Sequence, residues 1–139
     1  MNGTRLQAVM FLALVATTGC FVRIETGNYS ERRGLAEGST TLFHQRLSEE
    51  RYGDVLELIH PDVIASQSEG TVSYQLRTRR LDAGSFVSSE LQVATCFPTE
   101  VRLIYYSRYS SGDTTEFLVW GFKSGKPGLV SWQLWKGHS

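Results

Sequence analysis

Apolar residues recur along the chain first at helical spacing and later in alternation. The ranges 36–51 and 52–59 carry apolar side chains three and four residues apart, the pattern of one helical face. Pro61 is expected to end the second helix, because a proline pushes the residue before it out of the α region. A third, weaker helical pattern covers 68–82 and is predicted to end at Gly84.

Strand patterns follow the helices and are separated by short turns rich in serine, glycine and proline. The predicted strands are 88–95, 100–109, 115–123 and 129–136. In the second strand, Val101, Leu103 and Tyr105 are expected to share one face. The third strand carries large apolar residues at both odd and even positions, so both of its faces are apolar. This pattern indicates a sheet that is covered on one side and curled over itself on the other. This order predicts an α+β fold with two or three N-terminal helices packed on a strongly curved antiparallel sheet.

Two segments carry a resemblance to a known family. They are residues 40–64 (TTLFHQRLSEERYGDVLELIHPDVI) and 99–137 (TEVRLIYYSRYSSGDTTEFLVWGFKSGKPGLVSWQLWKG). Together they resemble the nuclear transport factor 2-like superfamily, a cystatin-like, cone-shaped α+β roll, and most of all small bacterial lipoproteins with such a domain. The resemblance implies helices on the concave face of the sheet. Some members of the superfamily are enzymes, such as ketosteroid isomerase, and many only bind, so the fold by itself implies no activity.

The N-terminus has the order of a secretory signal. Arg5 is followed by an apolar run at 6–16 and by small residues at 17–19, with Cys20 next. The run is shorter than the roughly 20 apolar residues that a membrane span needs. A buried helix of a cytosolic protein is the alternative.

The stretch Ala-Thr-Thr-Gly-Cys at 16–20 resembles the lipobox of bacterial lipoproteins, although Thr17 stands where leucine is usual. The resemblance implies a lipid attached to Cys20, with palmitate among its acyl chains. Phe21, rather than Asp, follows the cysteine, which implies the outer membrane, facing the periplasm, if the source is Gram-negative. An ordinary secretory signal that leaves a plain thiol is the alternative.

The expected organisation is therefore a signal peptide at 1–19, a lipid-anchored tether at 20–35 and a domain at 36–139. Fourteen basic and fourteen acidic residues give no net charge, which excludes an electrostatic nucleic-acid binder. The expected partners are the membrane, through Cys20, and either an envelope protein or a small apolar ligand. A homodimer through the sheet face is a third alternative.

Metal and cofactor chemistry have no sequence signature in this chain. His44, His60 and His138 lack the spacing of a zinc site, and no cofactor or metal is expected. His44 is interpreted as a surface or boundary residue, and His60 as a cation at a helix end.

Glu116 is the best formal candidate for a catalytic acid, because it lies in a strand among apolar residues. We expect it instead to point outward and to pair with Arg102 or Arg108. Cys96 is expected to be a small buried thiol beside Phe97. The remaining candidates fall into two groups. A cluster of aromatic residues is interpreted as core and not as a ligand pocket: Tyr105, Tyr106, Tyr109, Trp120, Trp132 and Trp135. A set of arginines is interpreted as part of a mixed solvated surface and not as a lipid contact: Arg32, Arg33, Arg77, Arg79 and Arg80.

The predicted class is a non-catalytic binding or interaction domain with no catalytic residue. The alternative is a small enzyme, an isomerase or dehydratase, that uses the cone as its active site. Binding predicts that no acid–histidine or acid–tyrosine pair meets inside the cone. Catalysis predicts that Glu116, Asp82 or His44 projects into a cavity of more than roughly 300 Å³, with a tyrosine or second acid beside it.

Overall fold

The computed structural model describes residues 21–22 and 28–137. Within them, four helices precede a long antiparallel meander, and a two-residue strand precedes the helices. The helices are α1 (Asn28–Ser48), α2 (Tyr52–Leu56), α3 (Pro61–Gln67) and α4 (Glu69–Ala83). The strands are β1 (Phe21–Val22), β2 (Phe86–Cys96), β3 (Glu100–Tyr109), β4 (Gly112–Lys123) and β5 (Lys126–Lys136). The signal peptide and Cys20 lie outside the described residues.

Helix α1 begins at Asn28 and not at residue 36 as expected. Its first two turns are polar and show no apolar face, which is why the pattern missed them. An ion pair between Arg33 and Glu37, 3.1 Å apart, supports these turns. The prediction of a tether over 20–35 is therefore wrong for residues 28–35, and the domain begins earlier than predicted.

Pro61 begins a helix and does not end one as predicted, since α2 already ends at Leu56. The proline occupies the first turn of α3, where its fixed φ suits the helix and its missing N–H is not needed. His60 caps this helix, because its Nδ1 accepts from the backbone N–H of Asp62 at 3.1 Å. His60 thus serves a helix N-terminus, and its interpretation as a cation at a helix end was wrong.

Helix α4 confirms the third predicted helix. The Ser68 side chain accepts from the backbone N–H of Thr71 at 3.3 Å and so caps the N-terminus. At the other end the chain leaves the helix at Gly84, whose φ of 84° suits glycine.

The sheet has the strand order β1-β2-β3-β4-β5, with antiparallel hairpins from β2 to β5 and a parallel β1 at one edge. The turn between β4 and β5 consists of Ser124 and Gly125, both at positive φ, as a two-residue type I′ hairpin requires. Register shifts in β2 and β5 mark bulges, which bend strands. The predicted α+β class, helices packed on an antiparallel sheet, is confirmed.

The core lies between the helices and the inner face of the sheet. On β3 the alternate residues Val101, Leu103 and Tyr105 are buried, as the sequence alternation predicted. Phe43 of α1 packs edge-on against Trp132 of β5, with ring centroids 5.1 Å apart. The interior of the roll is thus filled with side chains.

Gly128 lies where the α2–α3 connection meets the sheet. A Cβ built on it would come within 2.6 Å of the His60 Cα, a backbone atom that cannot yield cheaply. We expect Gly128→Ala to lower the free energy of unfolding by about 1–3 kcal/mol, as overpacking does. Gly38→Ala, on an open part of α1, is the control and should stabilise by about 0.5–1 kcal/mol. Urea denaturation measures both, and an unchanged Gly128→Ala would contradict the close approach.

Candidate functional site

A buried acid, a histidine and a tyrosine meet inside the domain. Glu116 of β4 is fully buried, and its Oε1 lies 2.5 Å from Nε2 of His44 on α1. The Tyr109 hydroxyl of β3 donates to the other carboxylate oxygen, Oε2. Both oxygens of the carboxylate are therefore bonded to side chains from two other elements. We refer to these three residues as the buried cluster.

Aromatic rings surround the buried cluster. Phe86 stacks on the His44 ring with centroids 4.2 Å apart, and it meets the Tyr109 ring edge-on at 5.5 Å. Tyr105 lies beside His44 at 6.4 Å. The cluster is thus enclosed in an apolar shell, in which an unpaired polar group would be costly.

Two predictions about Glu116 were wrong. The side chain points inward, and the arginines expected to pair with it bond elsewhere: Arg102 with Glu100 at 2.9 Å, and Arg108 with Asp113 at 3.5 Å. The expectation that no acid–histidine or acid–tyrosine pair would meet in the interior was also wrong.

His44 is buried and not a surface or boundary residue as predicted. The sequence contained a signal for this. His44 follows Thr40 by four residues and Phe43 by one, which places it on the buried stripe of α1. Thr40 itself is buried and accepts from the Trp120 indole N–H at 2.9 Å.

A cleft of about 250 Å³ borders the buried cluster on one side. Its lining includes His44 and Phe86 but neither Glu116 nor Tyr109. Only one member of the cluster therefore reaches this cleft, and Phe86 covers that member.

A second cleft, which we call the helix pocket, lies between α3, α4 and β5 and has a volume of about 200 Å³. Its apolar lining is Ile59, Val63, Val72, Leu76, Leu129 and Val130, and its polar lining is Gln67, Gln75, Arg79 and Ser131, with Trp132 completing it. Arg79 donates to the backbone oxygen of Trp132, and its guanidinium lies 5.9 Å from that indole ring.

Two polar groups of the helix pocket lack a typical partner. The Trp132 Nε1–H is buried and has no acceptor among the described residues. Arg79 forms no ion pair with any carboxylate of residues 28–137. Buried donors in native proteins nearly always have an acceptor, so a buried indole N–H without one is unusual, and it belongs to a residue that lines the helix pocket.

The other candidate residues are distributed over the structure. Asp82 is exposed on α4 and enters no interior cavity. Cys96 is half-buried, so the expected burial was overestimated, and its thiol lies 3.7 Å from the backbone oxygen of Tyr29. His138 lies outside the described residues. No cluster of three potential metal ligands occurs within residues 21–22 and 28–137.

The arginines that were candidates for lipid contact bind other parts of the domain. Arg32 donates to the backbone oxygen of Phe97 at 3.3 Å, and Arg80 to that of Leu47 at 3.3 Å. The Arg77 guanidinium lies over the Tyr52 ring at 4.9 Å. These contacts tie helices to each other and to the sheet.

Burial raises the pKa of two phenols. The pKa of Tyr105 rises to about 12, mainly through burial. The pKa of Tyr109 is raised further by burial and by the neighbouring Glu116 carboxylate. Since these pKa values exceed the unfolded value of about 10, their stabilising contribution is fully present below pH 10 and is lost as the pH rises through about 12.

We therefore expect a spectrophotometric titration of the native protein to show fewer than its six tyrosines ionising near pH 10. The remainder should ionise only as the protein unfolds. Tyr109→Phe should remove one of these late-ionising groups. Simultaneous ionisation of all six in a folded protein would contradict the burial.

Comparison of the sequence with family models and with curated proteins finds no match. None of the described helices is both long and apolar enough to cross a membrane. A function for this chain is therefore inferred from its own residues.

Proposed function

We propose that this chain is a lipid-anchored cell-envelope protein whose α+β domain binds a small amphiphilic molecule and does not catalyse a reaction. The lipobox-like stretch at 16–20 supports the anchor, with Cys20 as the acylated residue. The order of helices and meander supports membership of the nuclear transport factor 2-like superfamily. An outer-membrane address follows if the source is Gram-negative.

The observation that carries the binding proposal is the helix pocket, which is lined by apolar side chains, by Arg79 and by Trp132. One side of the pocket is apolar, and the Arg79 guanidinium belongs to its polar lining. A cavity of 150 Å³ is known to accept benzene, so a pocket of about 200 Å³ accepts a short apolar chain with a small head group. The arginine favours a head group that accepts hydrogen bonds, and a carboxylate in particular.

The experiment is a titration with hexanoate, followed by the three indole N–H resonances of the ¹⁵N-labelled protein. We expect the Trp132 resonance to shift, while that of Trp120, bonded to Thr40, stays in place. Hexanol is the matched ligand without a charge, and Arg79→Met is the matched variant. Arg79→Met should weaken hexanoate binding and leave any hexanol binding unchanged. No shift at Trp132, or equal shifts at all three resonances, would overturn the helix pocket as the ligand site.

Catalysis is the second candidate, and the buried cluster is the observation that favours it. With a proton on Nε2, His44 would donate to Glu116 and would leave Nδ1 as a base oriented by a carboxylate. Of the three residues only His44 lines the cleft beside it, and Phe86 stacks on the His44 ring there, so the carboxylate and the phenol do not reach that cleft. The same titration tests this candidate, because a ligand that acts there would shift the His44 ring signals and not Trp132.

A further inference from the structure

The side of the sheet away from the helices, which we call the outer face, carries large apolar and aromatic side chains. Ile104 is paired with Phe117 across β3 and β4, and Phe117 packs on Trp135 with ring centroids 4.9 Å apart. Trp135 is 60% exposed and Tyr106 is 43% exposed. Contiguous exposed apolar surface of this kind marks a site of contact with another molecule or with a membrane.

The outer face also contains an apolar depression of about 320 Å³. Its lining includes Phe97, Ile104, Phe117 and Val119. The residues that border the depression come from three neighbouring strands, so the apolar surface runs across the sheet.

Charges on the outer face are paired with each other. Arg102 bonds to Glu100 at 2.9 Å, and Arg108 lies 3.5 Å from Asp113. The Tyr106 hydroxyl donates to the same aspartate at 2.6 Å. The outer face thus has no basic surplus, and any contact it makes is governed by apolar burial and not by attraction to anions.

The N-terminal strand fixes where an anchor would be attached. Strand β1 pairs in parallel with β2, with Phe21 opposite Val93 and Val22 opposite Ala94, at the edge of the sheet. Cys20 is the residue immediately before β1, so a single peptide bond joins the residue proposed to be acylated to this strand. The tether expected from the sequence at 20–35 would instead have allowed a separation of about 50 Å.

We propose that the outer face lies against the bilayer surface, with Trp135 and Tyr106 at the level of the lipid head groups. This inference rests on the proposed lipid anchor at Cys20. An anchor at the sheet edge leaves the domain no slack with which to stand away from the membrane. Tryptophan and tyrosine favour the membrane–water interface, because each combines an apolar ring with a polar group. The helix pocket lies on the other side of the sheet, between α3, α4 and β5, and stays open to ligand.

The test uses the acylated full-length mature protein in zwitterionic phosphatidylcholine vesicles with brominated acyl chains, which quench nearby tryptophans. Trp120 and Trp132 are 0% and 3% exposed, so Trp135 is the tryptophan that the lipid can reach. We expect quenching of the Trp135 share of the emission, lost in Trp135→Phe and absent in vesicles without bromine. Added salt should not reverse it, because the charges of the outer face are paired with each other.

Flotation of the vesicles distinguishes a failure of the proposed orientation from a failure of the proposed lipid anchor. Protein that floats with the vesicles but shows no quenching at Trp135 overturns the orientation and leaves the anchor intact. Protein that does not float overturns both. If Trp135 instead becomes shielded from a soluble quencher as protein concentration rises in detergent, a second copy of the chain covers the outer face, and the membrane orientation is wrong.

Discussion

Glu116→Ala is expected to destabilise the domain by about 3–5 kcal/mol, the loss typical of removing one partner from a buried polar pair. The substitution leaves the His44 ring and the Tyr109 hydroxyl without their shared acceptor in an apolar shell. It also opens a void where a fully buried side chain stood. Urea denaturation at neutral pH measures the loss.

Two further variants test whether the loss of stability comes from the buried position of this carboxylate and not from the removal of a carboxylate in general. Glu116→Gln keeps the size and one acceptor, so it should lose clearly less than the alanine variant. Glu57→Ala removes an exposed carboxylate that lies 3.4 Å from Arg46, and it should stay within about 0.5 kcal/mol of the parent protein. If Glu116→Ala behaves like Glu57→Ala, the carboxylate is not the shared acceptor of the buried cluster.

Cys20→Ser is expected to move the protein from the membrane fraction to the soluble fraction, or to leave an uncleaved precursor. The change removes the sulfur that would carry a diacylglyceryl group. Stable anchoring needs more than one buried acyl chain, so the variant should not stay bound to the membrane. Fractionation of cells that express the full chain measures this.

Cys96→Ser is the matched control, because it removes the other cysteine of the chain from the domain. It should leave the protein in the membrane fraction. Release of both variants would mean that folding and not acylation governs the distribution, and retention of Cys20→Ser would contradict the anchor.

The sequence predicted the parts of the fold that depend on local periodicity. Alternation assigned Val101, Leu103 and Tyr105 of β3 to one face, and they are buried together. The first turns of α1 and the whole of α3 were missed, since polar or short segments carry too few apolar positions to show a period. Helix α3 depends instead on a proline in its first turn and a cap by His60.

The buried cluster could be predicted only in part. His44 occupies the buried stripe of α1, and the helical spacing could have shown this. Apolar residues occupy both odd and even positions of the strand that contains Glu116, so alternation does not decide to which face of the sheet its side chain points. Its position follows from strand pairing, which places it opposite Tyr105 and two residues before the buried Leu118. Such long-range pairing is set by the whole sheet and is not visible in one strand.

The central claim, that this is a lipid-anchored protein, is tested most directly by mass spectrometry of the N-terminal peptide from membrane-extracted protein. The account predicts a mature chain that begins at Cys20 and carries the mass of a diacylglyceryl group together with an N-linked acyl chain. An unmodified peptide that begins at Cys20, or any mature N-terminus at another residue, would contradict the claim.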